Sequence, residues 1–208
     1  MSCKSVITIS REFGSGGREI GKAVADRLGI KFYDKELISL AAKESGVNPE
    51  VFEHADEHAT NSLLYSLSMG VYNMGNGYAP IRDMPVNDQL YILQHKIIKS
   101  LASEPCVIVG RCADYILREK TNCINLFIHA DIEYRAKRAI SIHDVPEHKA
   151  ESVVRKTDKT RANYYNFYSD KKWGMAENYD LSINSGVITT EQAVELISEY
   201  VRIREQTY

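Results

Sequence analysis

The chain has 208 residues, of which 44% are hydrophobic and 26% are charged, a composition typical of a globular domain with its own core. Its 26 basic and 28 acidic side chains leave a formal net charge of −2, which provides no bulk charge for binding a nucleic-acid polymer or a membrane surface. No apolar run approaches the roughly 18 residues of a membrane helix, and no secretory-type apolar stretch follows Met1. The four cysteines form no CxxC pair, so we expect reduced thiols and a cytoplasmic location.

Short β-branched runs alternate with segments of helical periodicity along the chain. Residues 5–10 predict a buried strand, and the spacing of Ile20, Val24 and Leu28 predicts a helix that ends at Gly29. A strand at 30–33 and a helix at 36–43 follow, and residues 48–87 are predicted as an insert because they lack a clean period. The remaining predicted elements are helices at 88–102, 113–117, 132–142, 146–167 and 190–203, the last with Thr190 as its N-cap, and strands at 106–109, 124–128 and 179–183.

This order of elements indicates an α/β fold of three layers, in which helices cover both faces of a parallel sheet. Ligands of such sheets bind beyond the carboxyl ends of the strands. We therefore expect the functional site after Ile9, Tyr33, Val109 and Ile128.

A glycine-rich loop, residues 10–19 (SREFGSGGRE), joins the first strand to the first helix. Its glycines allow successive backbone N–H groups to point inward, and the helix start adds partial positive charge, so the loop suits a phosphate group. A tight strand–helix turn without a ligand is the alternative interpretation. The loop departs from GxxxxGK[ST] because it has no lysine; its nearest cations are Arg11, Arg18 and Lys22, and Ser15 offers a hydroxyl at a different position from the usual Mg²⁺-holding one.

Three segments of the chain resemble the cytidylate kinase-like family, a branch of the P-loop nucleoside monophosphate kinases. They are residues 9–21 (ISREFGSGGREIG), 32–38 (FYDKELI) and 109–111 (VGR). The resemblance implies a P-loop kinase fold with a five-stranded parallel sheet, transfer of the γ-phosphoryl group of ATP to CMP or dCMP, and Mg²⁺ as the metal. It divides the chain into a core (1–47, 88–143 and 173–208), an acceptor-binding insert (48–87) and a lid (144–172).

The resemblance also implies roles for individual residues. The donor phosphates would be held by Gly14, Ser15, Gly16, Gly17, Arg18 and Glu19. The acceptor nucleotide would be contacted by Asp34, Arg111, Arg135, Arg138 and Asp158. The charge of the transferred group would be stabilised by Arg18, Arg111, Arg155 and Arg161.

The segment after residue 150 is predicted as the helical part of the lid. Arg155, Asp158 and Arg161 recur every three residues, so they share a helix face on which Asp158 would hold both guanidinium groups; a solvated charged face is the alternative. Tyr164, Phe167 and Tyr168 are spaced as a core stripe, which leaves Tyr165 as the ring expected to be exposed.

Three departures from the family pattern keep other functions open. The loop has no lysine, and Val109 and His129 stand where cytidylate kinases commonly carry Asp. The alternatives are a nucleotide-binding protein without kinase activity and a kinase for another small acceptor. His54 and His58 have no obvious further ligands, so no resident protein metal site is predicted, and the oligomeric state is left open.

Overall fold

The structure of this chain, a computed structural model, describes residues 3–34 and 86–207. Its strands are β1 (Val6–Arg11), β2 (Lys31–Tyr33), β3 (Cys106–Val109), β4 (Cys123–His129) and β5 (Leu181–Asn184). Its helices are α1 (Gly17–Leu28), α2 (Val86–Leu101), α3 (Ala113–Ile116), α4 (Ile132–His143), α5 (Ala150–Ser169) and α6 (Thr190–Arg204), with 3₁₀ turns at Glu147–Lys149 and Ala176–Asn178. The predicted helix at 36–43, the His54 and His58 pair, and all but the last two residues of the predicted insert lie outside the described residues.

The five strands form one parallel sheet in the order β2-β3-β1-β4-β5. Val6 at the start of β1 is in register with Cys106 of β3 on one side and Cys123 of β4 on the other. The first strand therefore lies in the middle of the sheet, and the loop that follows it emerges at the centre of the carboxyl edge.

Alternate residues of β1 face two separate cores, as the two-residue period of a strand requires. Ile7 and Ile9 lie in the core that α1 and α6 cover. Val6 lies in the opposite core with Ile98 of α2 and Ile116 of α3. Fully burying a side chain of this size contributes about 2 kcal/mol, so both faces help to hold the strand that carries the loop. The predicted three-layer fold with a five-stranded parallel sheet is confirmed.

Several boundaries differ from the sequence prediction. The helix predicted at 146–167 occupies Ala150–Ser169. The last strand occupies Leu181–Asn184, two residues later at its start than predicted. The N-cap of α6 is Thr189 and not Thr190, because the Thr189 hydroxyl accepts the Gln192 N–H at 3.2 Å while the Gln192 side chain accepts the Thr189 N–H at 2.9 Å. This reciprocal capping box satisfies two amide groups that the start of a helix otherwise leaves open.

The prediction for the aromatic residues of α5 is wrong for Tyr165 and Phe167. Tyr165 is 3% exposed, whereas Phe167, which was expected in the core, is 48% exposed. Tyr165 faces inward because its hydroxyl donates to Asp114 Oδ2 of α3 at 2.7 Å. The i, i+3, i+4 pattern misses this because α5 packs Tyr165 onto a neighbouring element that supplies a polar partner.

All four cysteines are buried free thiols. Every helix in residues 3–34 and 86–207 is too short or too polar to cross a bilayer.

Candidate active site

Close packing at the glycine loop requires glycine at several positions. Gly14 and Gly16 have φ values of +78° and +77°, in the left-handed region that other residues rarely adopt. A Cβ atom at Gly14 would lie 2.5 Å from the carbonyl oxygen of Arg135, and one at Gly17 would lie 2.5 Å from Cβ of Arg11. These contacts fold the loop tightly between β1, α1 and α4.

Ser15 supports this loop from behind. Its hydroxyl donates to the carbonyl of Glu12 at 2.9 Å, and its own carbonyl accepts the Ser185 hydroxyl at 2.6 Å. Ser15 is 1% exposed and does not line the adjoining cavity. The Ser15 side chain therefore stabilises the loop through contacts within the protein and does not face the cavity.

The N-terminus of α1 opens into a cavity of about 580 Å³. Gly16 is the N-cap residue, and its carbonyl accepts the first helical hydrogen bond from Ile20 N–H at 2.9 Å. Because Gly16 has no side chain, it cannot cap the amides of the first turn as a serine or aspartate would. These amides and the positive end of the helix dipole are suited to an anion in the cavity.

Arginine side chains surround this opening. Arg18 donates from Nε to Asp34 Oδ2 at 2.5 Å, which joins α1 to the residue directly after β2. Arg138 of α4 donates to the Gly14 carbonyl at 3.1 Å and to the Glu19 carboxylate at 2.6 Å. Both arginines line the cavity next to the loop.

The turn after β3 holds three successive residues in the left-handed region. Gly110, Arg111 and Cys112 have φ values of +80°, +60° and +54°. Each non-glycine residue in this region costs about 1 kcal/mol or more, and such strain concentrates at functional sites. The Gly110 N–H donates to the Ile9 carbonyl at 2.9 Å, so the turn is fastened to β1, and Arg111 lines the cavity. The sequence pattern predicts Arg111 as a site residue but contains no signal for the backbone conformation that presents it.

Helix α5 supplies Arg161 to the same cavity. Arg161 donates to the Arg11 carbonyl at 3.0 Å, and its guanidinium carbon lies 5.6 Å from the centre of the Phe13 ring. Arg155, six residues before Arg161 on the same helix, forms an ion pair with Glu151 at 2.6 Å and has a 64% exposed side chain. It does not line the cavity.

Asp158 and Arg135 pair with each other behind the loop. One Asp158 oxygen accepts the Phe13 N–H at 2.7 Å, and the other accepts a hydrogen bond from Arg135. Arg135 also lies 3.2 Å from Glu12 Oε2 and donates to the Ala130 carbonyl at 2.8 Å. Burial raises the pKa of Glu12, against the lowering effect of the Ala130 N–H and the Arg135 charge.

The structure thus separates the predicted site residues into two groups. Those that line the cavity are Gly14, Gly16, Gly17, Arg18, Glu19, Asp34, Arg111, Arg138 and Arg161. Those that do not are Ser15, Arg135, Arg155 and Asp158. The role of each residue stays a prediction, because the groups describe only where each residue lies.

Several lining residues were missed by the sequence analysis as site residues. They are Phe13, Thr157, Thr160, Ile142, His143 and Trp173. Phe13 packs on His143 with ring centres 4.8 Å apart, and Trp173, the chain's single tryptophan, packs edge-on against Phe127 at 5.3 Å. No spacing rule identifies these residues, since they meet only where the loop, α4 and α5 converge.

The carboxylates that line the cavity are suited to bind Mg²⁺ together with the phosphates of a nucleotide, and not by themselves. Glu12, Glu19 and Asp34 line the cavity, and each accepts a hydrogen bond from a protein group. Within residues 3–34 and 86–207 no group of three or more His, Cys, Asp or Glu side chains could hold a metal ion by itself. Mg²⁺ commonly keeps several waters and is bound by one or two carboxylates together with substrate phosphates.

Comparison with known proteins gives the chain its family. It is 27% identical to a cytidylate kinase of Archaeoglobus fulgidus over 96% of each chain. It is 30% identical to a crystal structure of an uncharacterized protein from Eubacterium ventriosum, with a TM-score of 0.70 over 96% of this chain and 99% of that one. The fold is also that of the Acinetobacter baumannii shikimate kinase solved with shikimate, at 14% identity and a TM-score of 0.54 over 96% and 94% of the two chains. The model of the cytidylate kinase-like family matches residues 6–187, so the chain belongs to that family.

Proposed function

We propose that this protein transfers the γ-phosphoryl group of ATP to a nucleoside monophosphate of the CMP or dCMP type. The observation that carries the proposal is that the open N-terminus of α1 and the side chains of Arg18, Arg111 and Arg161 all adjoin one cavity. A phosphoryl-transfer transition state spreads negative charge over the transferred group, and positioned cations stabilise that charge. The family and the 27% identical relative named cytidylate kinase support the same reaction.

The donor triphosphate is proposed to bind at the glycine loop. The amides of Gly16, Gly17 and Arg18 begin α1, where the helix dipole favours an anion. The loop has no lysine, so the positive charge beside it comes from arginine. Arginine differs from lysine in binding phosphate oxygens through a planar fork, and Arg18 is already oriented by Asp34.

The acceptor is proposed to bind between Asp34 and Arg111, at the ends of β2 and β3. Both residues line the cavity and come from adjacent strands of the sheet. The division into a core, an acceptor-binding insert (48–87) and a lid (144–172) is part of this proposal. Its partners are nucleotides and not nucleic-acid polymers or membranes, and the four buried thiols fit a cytoplasmic protein.

The mechanism needs positioning and charge stabilisation more than proton transfer. An acceptor phosphate is already an anion, so no general base is assigned, and the reaction proceeds in line without a covalent intermediate. Arg111 orients the acceptor phosphate, while Arg18 and Arg161 balance the charge that develops between donor and acceptor. Closure of the lid would exclude water, which competes as an acceptor. Mg²⁺ bound with the donor would neutralise part of the phosphate charge, and Glu12, Glu19 and Asp34 are carboxylates that line the cavity.

A coupled assay with ATP, Mg²⁺ and a panel of nucleoside monophosphates tests the proposal. We expect turnover, with CMP or dCMP preferred over AMP, GMP and UMP. Turnover of a different small acceptor alone would support kinase activity but reject CMP or dCMP as the acceptor. No turnover with any acceptor would reject the proposed kinase activity.

ATP titration followed by Trp173 fluorescence separates the remaining alternative. Because Trp173 is the single tryptophan and lines the cavity, bound nucleotide should change its emission. Saturable binding without turnover would identify a nucleotide-binding protein that lacks catalysis, which the absence of a loop lysine favours.

A further inference from the structure

We infer that Asp158 is a positioning residue, which holds helix α5 in register on the glycine loop through Phe13 and Arg135, and that it does not contact the nucleotide. This inference rests on the proposed function and replaces the acceptor-contacting role that the family resemblance implies for Asp158 and Arg135.

The first argument is that both oxygens of Asp158 are committed to the protein. Oδ1 accepts the backbone N–H of Phe13 at 2.7 Å, and Oδ2 accepts a hydrogen bond from Arg135. The side chain is only 14% exposed and does not line the cavity. Through these two charge-assisted hydrogen bonds, the Asp158 carboxylate links helix α5 to the backbone of the glycine loop and to Arg135 of α4.

The second argument is that Arg135 is equally committed. Its side chain is 9% exposed, its Nε donates to the Ala130 carbonyl, and it lies between Glu12 and Asp158. The loop also packs against its backbone, since a Cβ at Gly14 would meet the Arg135 carbonyl oxygen at 2.5 Å. Arg135 therefore joins the loop, α4 and α5 at one point.

The charges around Arg135 determine which residue is suitable for a test by mutation. One guanidinium faces two carboxylates, and the Asp158 charge acts on Glu12 in the same direction as burial, which raises the pKa of Glu12. Removing Asp158 leaves the Arg135–Glu12 pair neutral, so the variant is expected to fold. Removing Arg135 would instead leave two carboxylates together without their cation, which makes Arg135 the poorer residue to test.

The consequence for the site comes through Arg161. Arg161 follows Asp158 by three residues on α5, reaches the Arg11 carbonyl at 3.0 Å and lines the cavity. Residues three apart on a helix share a face, so fixing Asp158 on Phe13 also fixes where Arg161 enters the cavity. Asp158 thereby couples the position of the lid helix to the shape of the phosphate loop.

Hydrogen exchange tests the positioning role without any need for kinase activity. In the unliganded protein, we expect amides of residues 11–17 to exchange about tenfold faster in Asp158→Ala than in the wild type, because the Phe13 amide loses its charged acceptor. Glu151→Gln, which removes a 60% exposed carboxylate from the same helix, should leave that exchange unchanged. Unchanged loop exchange in a folded Asp158→Ala protein would overturn the inference. Asp158→Asn, which keeps the shape of the side chain, serves the same test if the alanine variant does not fold.

A double-mutant cycle then separates positioning from direct contact. We expect Asp158→Asn to lower kcat/KM by about tenfold in the wild type but by less than about twofold in an Arg161→Ala background. Equal reductions in both backgrounds would indicate that Asp158 contacts the substrate independently, and would overturn the inference. A wild-type protein without turnover would reject the proposed kinase reaction, while the exchange result would still decide the role of Asp158.

Discussion

Arg18, two residues into α1, donates its Nε–H to Asp34 Oδ2 at 2.5 Å, across the gap between the glycine loop and the end of β2. The Asp34 side chain is 7% exposed, whereas the Arg18 side chain is 62% exposed. The buried Asp34 carboxylate therefore orients the exposed Arg18 guanidinium, which lines the cavity beside the glycine loop.

Arg18→Ala should lower kcat by at least about tenfold, because charge pairing in the transition state is lost. The measurement is steady-state kinetics with ATP and the preferred acceptor. Lys22→Ala is the matched control: Lys22 lies four residues further along α1, pairs with Asp26 at 2.5 Å on an exposed surface, and does not line the cavity. Its kcat should match the wild type. An unchanged rate in Arg18→Ala would remove Arg18 from the site.

Gly14→Ala should destabilise the protein more than Gly29→Ala. Both glycines have positive φ values, +78° and +66°, so both variants carry the backbone cost of a left-handed alanine, about 1 kcal/mol. Only Gly14 adds a steric conflict, since its Cβ would lie 2.5 Å from the Arg135 carbonyl oxygen, while a Cβ at Gly29 would meet nothing within 4 Å. We expect an additional loss of about 1–3 kcal/mol in the free energy of unfolding, measured with urea.

Equal losses in the two glycine variants would show that the loop can move away from α4. ATP binding provides a second comparison: Gly29→Ala should bind like the wild type, because Gly29 ends α1 at the far side from the cavity.

Glu205 should make the stability of the fold depend on pH. Its Oε1 accepts the backbone N–H groups of Lys4 and Ser5 at 2.7 and 2.9 Å and the Ser5 hydroxyl at 2.7 Å. Burial raises the pKa of Glu205, but these hydrogen bonds outweigh burial and hold the pKa below its ordinary value. A depressed folded-state pKa contributes stability above the unfolded-state pKa, and that contribution is lost as the pH falls through the folded-state pKa.

Glu205→Gln should therefore lower the free energy of unfolding by about 1 kcal/mol near neutral pH. The difference from the wild type should shrink as the pH falls through the folded-state pKa, which lies below the ordinary glutamate value. Urea unfolding at neutral pH and at about pH 3 measures the decrease. Glu195→Gln, an exposed carboxylate on the same helix, should have little effect at either pH. A difference that persists at low pH would assign the effect to packing.

The cysteines should resist alkylation in the folded protein. Burial raises the pKa of Cys3 to about 11 and the pKa values of Cys106 and Cys123 to about 12, and it also raises the pKa of Cys112. Since the thiolate is the reactive form, iodoacetamide at about pH 8 should label none of them within the time that labels all four in urea. Mass spectrometry counts the added groups. Rapid labelling of any one thiol in the native state would contradict its burial.

Local signals in the chain were sufficient for the sheet and for the glycine loop. The β-branched run at residues 5–10 and the glycines that follow it predict a buried strand and a tight turn into a helix, and both lie where expected. Such signals succeed because strand period, helix period and the need for positive φ are properties of a few neighbouring residues.

The roles on α5 could not be read in the same way. Equal spacing places Arg155, Asp158 and Arg161 on one helix face, yet Arg155 pairs outward with Glu151, Asp158 pairs with Arg135, and Arg161 reaches Arg11. Helical period fixes which side chains point in similar directions, and it contains no information about what lies opposite each of them.

The amino-acid sequence by itself determined the parallel α/β architecture, the glycine loop after its first strand and the resemblance to the family. Only the tertiary structure decided which charged side chains line the cavity and which stabilise the glycine loop from outside the cavity. The physical reason is that an ion pair or a hydrogen bond depends on distances of a few ångströms between residues far apart in the chain, such as Phe13 and Asp158. Those distances are set by how whole helices pack on the sheet.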